Sequence, residues 1–227
     1  VPPGIYEARA VGRFGISNPR RFVVGSLAES IEAANISSPS TPMFVETGST
    51  VNGRVDPDQI DYFKFAASQG QRLLIDCVGQ RIDSKIDASL VLIGPDGAEL
   101  QRVHDTEQAD PVLDLVAPAD GEYVVGVHDV VYRGGDEFFY RFSLQQAPYV
   151  AFVFPPVGQP GSNDAYTIYG TGLPDGQPSE SVNLLGRNLE QLQVNIALPG
   201  AGEPAANPAG GPMIQPHAAG LPGTPFS

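Results

Sequence analysis

Asp61-Tyr62-Phe63-Lys64-Phe65-Ala66 sets the pattern from which the rest of the chain can be read. Phe63 and Phe65 fall on one side of an extended segment, Tyr62 and Lys64 on the other. Successive side chains of a strand point to opposite faces, so this alternation describes a strand buried on one face only. The pattern recurs downstream. Tyr123, Val125 and Val127 share a face, with His128 opposite, and Phe138, Tyr140, Phe142 and Leu144 share another. Working outward, strand signals stand at 50–55, 60–66, 73–78, 88–93, 98–103, 112–116, 122–127 and 137–144. Turn residues separate them: Asp56-Pro57-Asp58, Pro95-Asp96-Gly97, Ala119-Asp120-Gly121 and Arg133-Gly134-Gly135-Asp136. Proline presets φ and glycine accepts positive φ at such turns. Short strands at this spacing predict an all-β sandwich. A short helix is expected only at 27–35.

The two ends read differently from this centre. Residues 5–11 and 20–24 predict two strands, too few for a stable unit alone. They read as the last hairpin of a longer domain. Beyond Ala147-Pro148, strand signals at 150–154, 165–169, 182–185 and 192–198 predict the opening part of a second small sandwich. From Gly200 to Ser227 glycine and proline dominate, and that stretch is expected to run as a tail or linker. The chain therefore reads as a piece of a multidomain protein.

Composition narrows the function. Gly (26) and Pro (22) make up about a fifth of the 227 residues, which suits many turns and poorly suits a helical enzyme. The formal net charge of −13 leaves no basic stripe for phosphates, so nucleic acid is not an expected partner. No apolar run is long enough for a membrane helix, so no membrane span is expected. One cysteine, Cys77, excludes an internal disulfide. Its strand alternation puts it with Leu73 and Ile75 on an apolar face, the setting of a structural thiol.

Residues 29–146 resemble the bacterial pre-peptidase C-terminal domain. The matching segments are Gly53-Arg54-Val55, Asp61-Tyr62-Phe63-Lys64-Phe65, Gly70-Gln71-Arg72-Leu73-Leu74-Ile75 and Asp87-Ala88-Ser89-Leu90-Val91-Leu92. Gly94-Pro95-Asp96-Gly97, Ala117-Pro118-Ala119-Asp120-Gly121-Glu122-Tyr123 and Phe139-Tyr140-Arg141-Phe142 complete the set. Arg81-Ile82-Asp83-Ser84 and Tyr132-Arg133-Gly134-Gly135 look like planctomycete members, in which immunoglobulin-like domains of the IPT/TIG kind flank this domain. The resemblance implies a jelly-roll-like β-sandwich with partial immunoglobulin-like β-sandwich segments on both sides. The divisions are then an immunoglobulin-like hairpin at 1–25, the pre-peptidase-type sandwich at 26–147, an IPT/TIG segment at 148–200 and the tail at 201–227. It further implies a non-catalytic accessory module of a secreted or cell-envelope protein, in the periplasm or at the cell surface. Its partners would be other domains of the same polypeptide, or an extracellular protein or polysaccharide. Collagenase relatives bind collagen and Ca²⁺.

Calcium takes six to eight hard oxygen ligands. Asp56, Asp58 and Asp61 sit in one turn, and Glu32 with Asn35 could approach it. These five are the candidate metal ligands; the same aspartates could instead cap backbone amides in a solvated turn. The Glu32-Ala33-Ala34-Asn35 stretch keeps two of the residues that supply calcium ligands in the collagenase branch and lacks its proline and trailing acid. Asp105, Asp110 and Asp114 form a second acidic set, expected in an exposed loop. His104, His128 and His217 belong to no recognisable catalytic pattern, and no metal-protease, nucleophile-elbow or phosphate-loop motif occurs. Arg133 to Asp136 is one residue too long for an adhesion tripeptide and reads as a hairpin turn.

Overall fold

The computed structural model describes residues 2–104, 110–184 and 187–201, so the predicted tail lies outside the described residues apart from its first position. The chain divides into two units, Val1–Gln146 and Ala147–Ser227.

The first unit opens on β1 (Gly4–Ala8), paired antiparallel with β4 (Arg20–Val24). Between them lies a small hairpin of β2 (Val11–Gly12) and β3 (Gly15–Ile16). Ten strands then build the sandwich. They are β5 (Ala28–Ile31), β6 (Met43–Phe44), β7 (Ser49–Arg54), β8 (Asp61–Ala67), β9 (Arg72–Val78), β10 (Ala88–Ile93), β11 (Glu99–His104), β12 (Val112–Val116), β13 (Gly121–Asp129) and β14 (Phe139–Gln145). One sheet has the order β11-β10-β13-β8-β6 and the other β12-β9-β14-β7-β5. From β7 to β10, and again from β11 to β14, successive strands alternate between the sheets, giving a jelly-roll-like sandwich.

Segment 27–35 is not the expected helix. Ala28–Ile31 lies as edge strand β5, parallel to β7, with Ala28 opposite Ser49 and Ile31 opposite Asn52. All four of its residues are exposed. The strand satisfies the open edge of β7, which a helix there would leave unpaired.

The alternation at 61–66 does what it predicts. Phe63 and Phe65 are completely buried. Phe63 stacks on Phe142 of the opposite sheet at 4.7 Å between ring centres, and meets Tyr140 edge-on at 6.2 Å. Phe65 stacks on Tyr123 at 5.8 Å. The inner faces of the two sheets are thus joined through Phe63, Tyr140 and Phe142. Such contacts add to the stabilisation from area burial alone.

The second acidic set is not one exposed loop. Asp110 is only 1% exposed. Its carboxylate accepts the backbone N–H groups of Gln80 (2.8 Å) and Arg81 (3.1 Å) and the Arg81 Nε–H (2.8 Å). Arg81 also reaches Asp76 at 2.6 Å. These bonds fix the 3₁₀ turn η1 (Gln80–Ile82), whose first amides have no internal partner. Asp114 pairs with Arg72 at 2.8 Å, and Asp105 lies outside the described residues. Sequence spacing gave no sign that an arginine 29 residues upstream would draw Asp110 inward.

The second unit is a four-stranded antiparallel sheet in the order β15 (Tyr149–Phe154), β16 (Asn163–Thr171), β18 (Arg187–Ala197), β17 (Gln177–Leu184). Val150, Ile168 and Leu173 are buried in its core, with Val153, Leu192 and Val194 packed against them.

Phe142→Ala should remove the inter-sheet stack and lower the stability of the first unit by about 3–5 kcal/mol. A calorimetric scan resolving the two units should show one transition moved down and the other unmoved.

Candidate functional site

Glu32 at the β5 edge of one sheet and Asp61 of the facing sheet meet on one hydroxyl, that of Tyr140 on β14. Glu32 directly follows β5, and its backbone N–H bonds the Asn52 carbonyl (3.0 Å), which holds it against β7. One carboxylate oxygen of Glu32 accepts the Arg54 backbone N–H at 3.0 Å. The other lies 2.9 Å from the Tyr140 hydroxyl. Asp61, the first residue of β8 in the facing sheet, places a carboxylate oxygen 2.9 Å from the same hydroxyl. Gly53 makes room for this approach, since a Cβ there would overlap both Glu32 and the Tyr140 ring. Ile31, Asn52, Ile82 and Phe139 line the adjoining open groove of about 400 Å³.

One phenolic proton serves two carboxyl groups. Tyr140 can donate to only one of them at a time. The other contact becomes a hydrogen bond when that carboxyl carries a proton and donates back to the phenolic oxygen. Asp61 is suited to that part. It is 5% exposed, and burial first, then the neighbouring Glu32 and Asp56 charges, push its pKa from 3.8 up to about 7, against the opposing Tyr140 bond. Glu32 is also raised, chiefly by burial. Burial and the two acids push the Tyr140 phenol well above its usual range, so it stays protonated.

Of the five candidate ligands, Glu32 and Asp61 are brought together. Asp56 is close enough for its charge to act on both, and it pairs loosely with Arg54 at 3.9 Å. Asn35 and Asp58 both adopt positive φ, at 64° and 59°. The Asn35 carbonyl accepts the Thr41 hydroxyl (3.2 Å), and the Asp58 N–H bonds the Tyr132 carbonyl (3.0 Å). Their placement serves the turns. Among the described residues, no group of three or more His, Cys, Asp or Glu stands close enough to hold a metal. Sequence reading missed Tyr140 as a member of the site, because its place among Phe138, Phe142 and Leu144 marked it only as core. A tyrosine in an otherwise phenylalanine-and-leucine row was the available signal, since a buried hydroxyl needs a partner.

The remaining polar candidates are absorbed elsewhere. His128 is 3% exposed, stacks on Tyr132 at 4.7 Å, and its Nδ1 bonds the Asp129 carbonyl at 2.8 Å. His104 is exposed and His217 lies outside the described residues. Arg133 is held by Asp129 at 2.9 Å and Asp136 pairs with Arg54, so the turn from 133 to 136 is tied down at both ends. Gly134 packs on the Asp56-Pro57 backbone, where a Cβ would not fit.

No protein-family model matches this chain, and no curated protein matches it. Solved structures do. The pre-peptidase C-terminal domain of a Bacillus anthracis collagenase is 15% identical, with a TM-score of 0.39, over 47% of this chain and 97% of that one. PliG of Salmonella Typhimurium, a periplasmic inhibitor of g-type lysozyme, is 17% identical with a TM-score of 0.33, over 46% and 98%. The Aeromonas hydrophila PliG is 17% identical with a TM-score of 0.31, over 52% and 96%.

The site has a pH signature. An acid whose pKa is raised on folding favours the folded state at low pH, and that contribution is lost as pH rises from about 3.8 through about 7. Asp61→Asn keeps a donor toward Tyr140 and cannot ionise. In calcium-free buffer the variant should match the parent near pH 4 and exceed it in stability above pH 7. Parallel stability curves across that range would show that Asp61 titrates normally.

Proposed function

We propose that this chain is a non-catalytic accessory module of an extracytoplasmic bacterial protein, serving presentation, spacing or recognition beside other domains of its polypeptide. One observation carries this reading: Cys77, His128 and the Glu32–Asp61 pair are bound into the scaffold. Cys77 is completely buried, and burial, then the Asp110 and Asp76 charges, hold its thiol well above the ordinary range. His128 lies under Tyr132, and the Glu32–Asp61 pair is closed over a tyrosine. The segments that resemble the pre-peptidase C-terminal domain support the same reading. Among the described residues no helix is long and apolar enough to cross a membrane.

Fluorophosphonate and iodoacetamide probes, together with peptide, ester and glycoside substrates, test this directly. The native chain should turn over none of them, and Cys77 should label only after denaturation. A turnover that disappears in His104→Ala or His128→Ala would contradict the reading.

A second reading, that calcium helps to order the module, is favoured by the Glu32–Asp61 pair. A cation seated between the two carboxylates would take the place of the shared proton. Asp56 stands near enough to add charge, and backbone carbonyls or water would complete a coordination sphere of six to eight oxygens. A ligand that binds only the folded state must stabilise it. Millimolar calcium should therefore raise the melting temperature at pH 8 and do so less at pH 5, where protons compete. Asp61→Asn should abolish the effect. An unchanged melting temperature at pH 8 would sink the calcium reading and leave the accessory reading intact.

A further inference from the structure

Positive charge is distributed unevenly over the first unit. Every lysine and arginine between residues 26 and 146 is ion-paired with an acid. In the N-terminal hairpin Arg13, Arg20 and Arg21 make no ion pair among the described residues, and Arg9 reaches only Glu7, at 3.4 Å. Glu7 is the one acid among residues 1–25, against four arginines, so this segment carries +3 in a chain of −13. The same segment stands out into solvent. Residues 7–18 are exposed without a break. Val11 (80% exposed) and Ile16 (67%) pair across β2 and β3, and Phe14 in the turn between them is 97% exposed. A Cβ added at Gly12 or Gly15 would meet no other atom within 4 Å. The Arg13 guanidinium lies 5.6 Å from the centre of the Phe14 ring. The arm is nevertheless built. The Ser17 N–H donates to the Ala10 carbonyl and the Ala10 N–H to the Ser17 hydroxyl, both at 2.9 Å. At its base the Arg21 N–H donates to the Asp83 carboxylate at 2.8 Å.

We propose that this hairpin is an arm that docks on an anionic lipid surface, with the Val11–Phe14–Ile16 tip seated in the headgroup layer. Apolar side chains at the tip with arginines around and behind them are the pairing that an interfacial element needs: hydrocarbon for the acyl boundary, cations for the phosphates. Arginine suits the boundary because its stem lies along apolar surface while its head stays with the phosphates. Each arginine near an anionic leaflet strengthens attachment about fivefold. The acidic remainder of the chain does not cancel this attraction. Seven residues of extended chain separate Phe14 from the Arg21 anchor, a reach of up to roughly 20 Å. Charges in physiological salt act over only about 8 Å. The shape favours lipid over a protein partner. The tip offers four large side chains, Val11, Arg13, Phe14 and Ile16, where each side of a standard protein interface supplies roughly 20–30 residues. The arm shares no residue with the Glu32–Asp61 pair, so its docking does not depend on calcium.

Flotation of the full chain with lipid vesicles tests the proposal. Vesicles of phosphatidylcholine with one-third phosphatidylglycerol should carry the chain at least tenfold better than phosphatidylcholine alone. Raising the salt to about 1 M, where the screening length falls to about 3 Å, should release it. EDTA should have no effect. Arg13→Gln combined with Arg20→Gln should weaken flotation at least tenfold, and Phe14→Ser severalfold. All three side chains are exposed, so the melting temperature of these variants should match the parent. The chain has no tryptophan, so Phe14→Trp gives a clean reporter. Its emission should shift to the blue on the anionic vesicles and be quenched by brominated acyl chains. No flotation with the anionic vesicles, equal flotation with phosphatidylcholine alone, or parental flotation of the folded double variant would overturn the proposal. So would a blue shift that arises without lipid in a salt-sensitive dimer, since the arm would then engage the acidic surface of a second copy.

Discussion

Tyr140 joins the two halves of the first unit by two different interactions. Its ring lies edge-on to Phe63 in the core, and its hydroxyl meets one acid from each sheet, Glu32 just after β5 and Asp61 on β8. The constraint is stoichiometric. Three oxygens at hydrogen-bonding distance share too few protons to satisfy every contact when both acids are ionised. The cluster must hold an extra proton, accept a cation, or tolerate an uncompensated buried charge, and the last is the costly state. Glu32 also fastens the end of β5, its N–H to the Asn52 carbonyl and its carboxylate to the Arg54 N–H.

Much of the scaffold was legible from period-two burial. Phe63 and Phe65, the Tyr123–Val127 row and the Phe138–Leu144 row each mark a strand whose inner side is apolar, and the turn residues mark where each strand stops. Three features were not legible. Edge strand β5 is exposed throughout and carries no burial pattern, so the sequence around 27–35 could be read as a helix. β6 has two residues, too few to show any period. The inward turn of Asp110 depends on Arg81, about thirty residues away in sequence and adjacent only after folding.

The candidate site was half legible for the same reason. Local spacing grouped Asp56, Asp58 and Asp61, but only Asp61 turns inward, because it begins β8 on the buried parity shared with Phe63 and Phe65. Asp58 and Asn35 serve turns in which they tolerate positive φ. The partner that makes Asp61 unusual is a tyrosine nearly eighty residues later. In the second unit the Phe152–Tyr169–Gln191 row became apparent only from register, since these residues are scattered in sequence and pair side by side in the sheet.

The shared proton is best tested by following the side-chain carboxyl carbon of Asp61 by NMR from pH 3 to pH 10 in calcium-free solution. The expected midpoint is about 7, coupled to the Glu32 signal and moved by Tyr140→Phe. An Asp61 that titrates near 3.8, insensitive to Tyr140→Phe, would contradict the account.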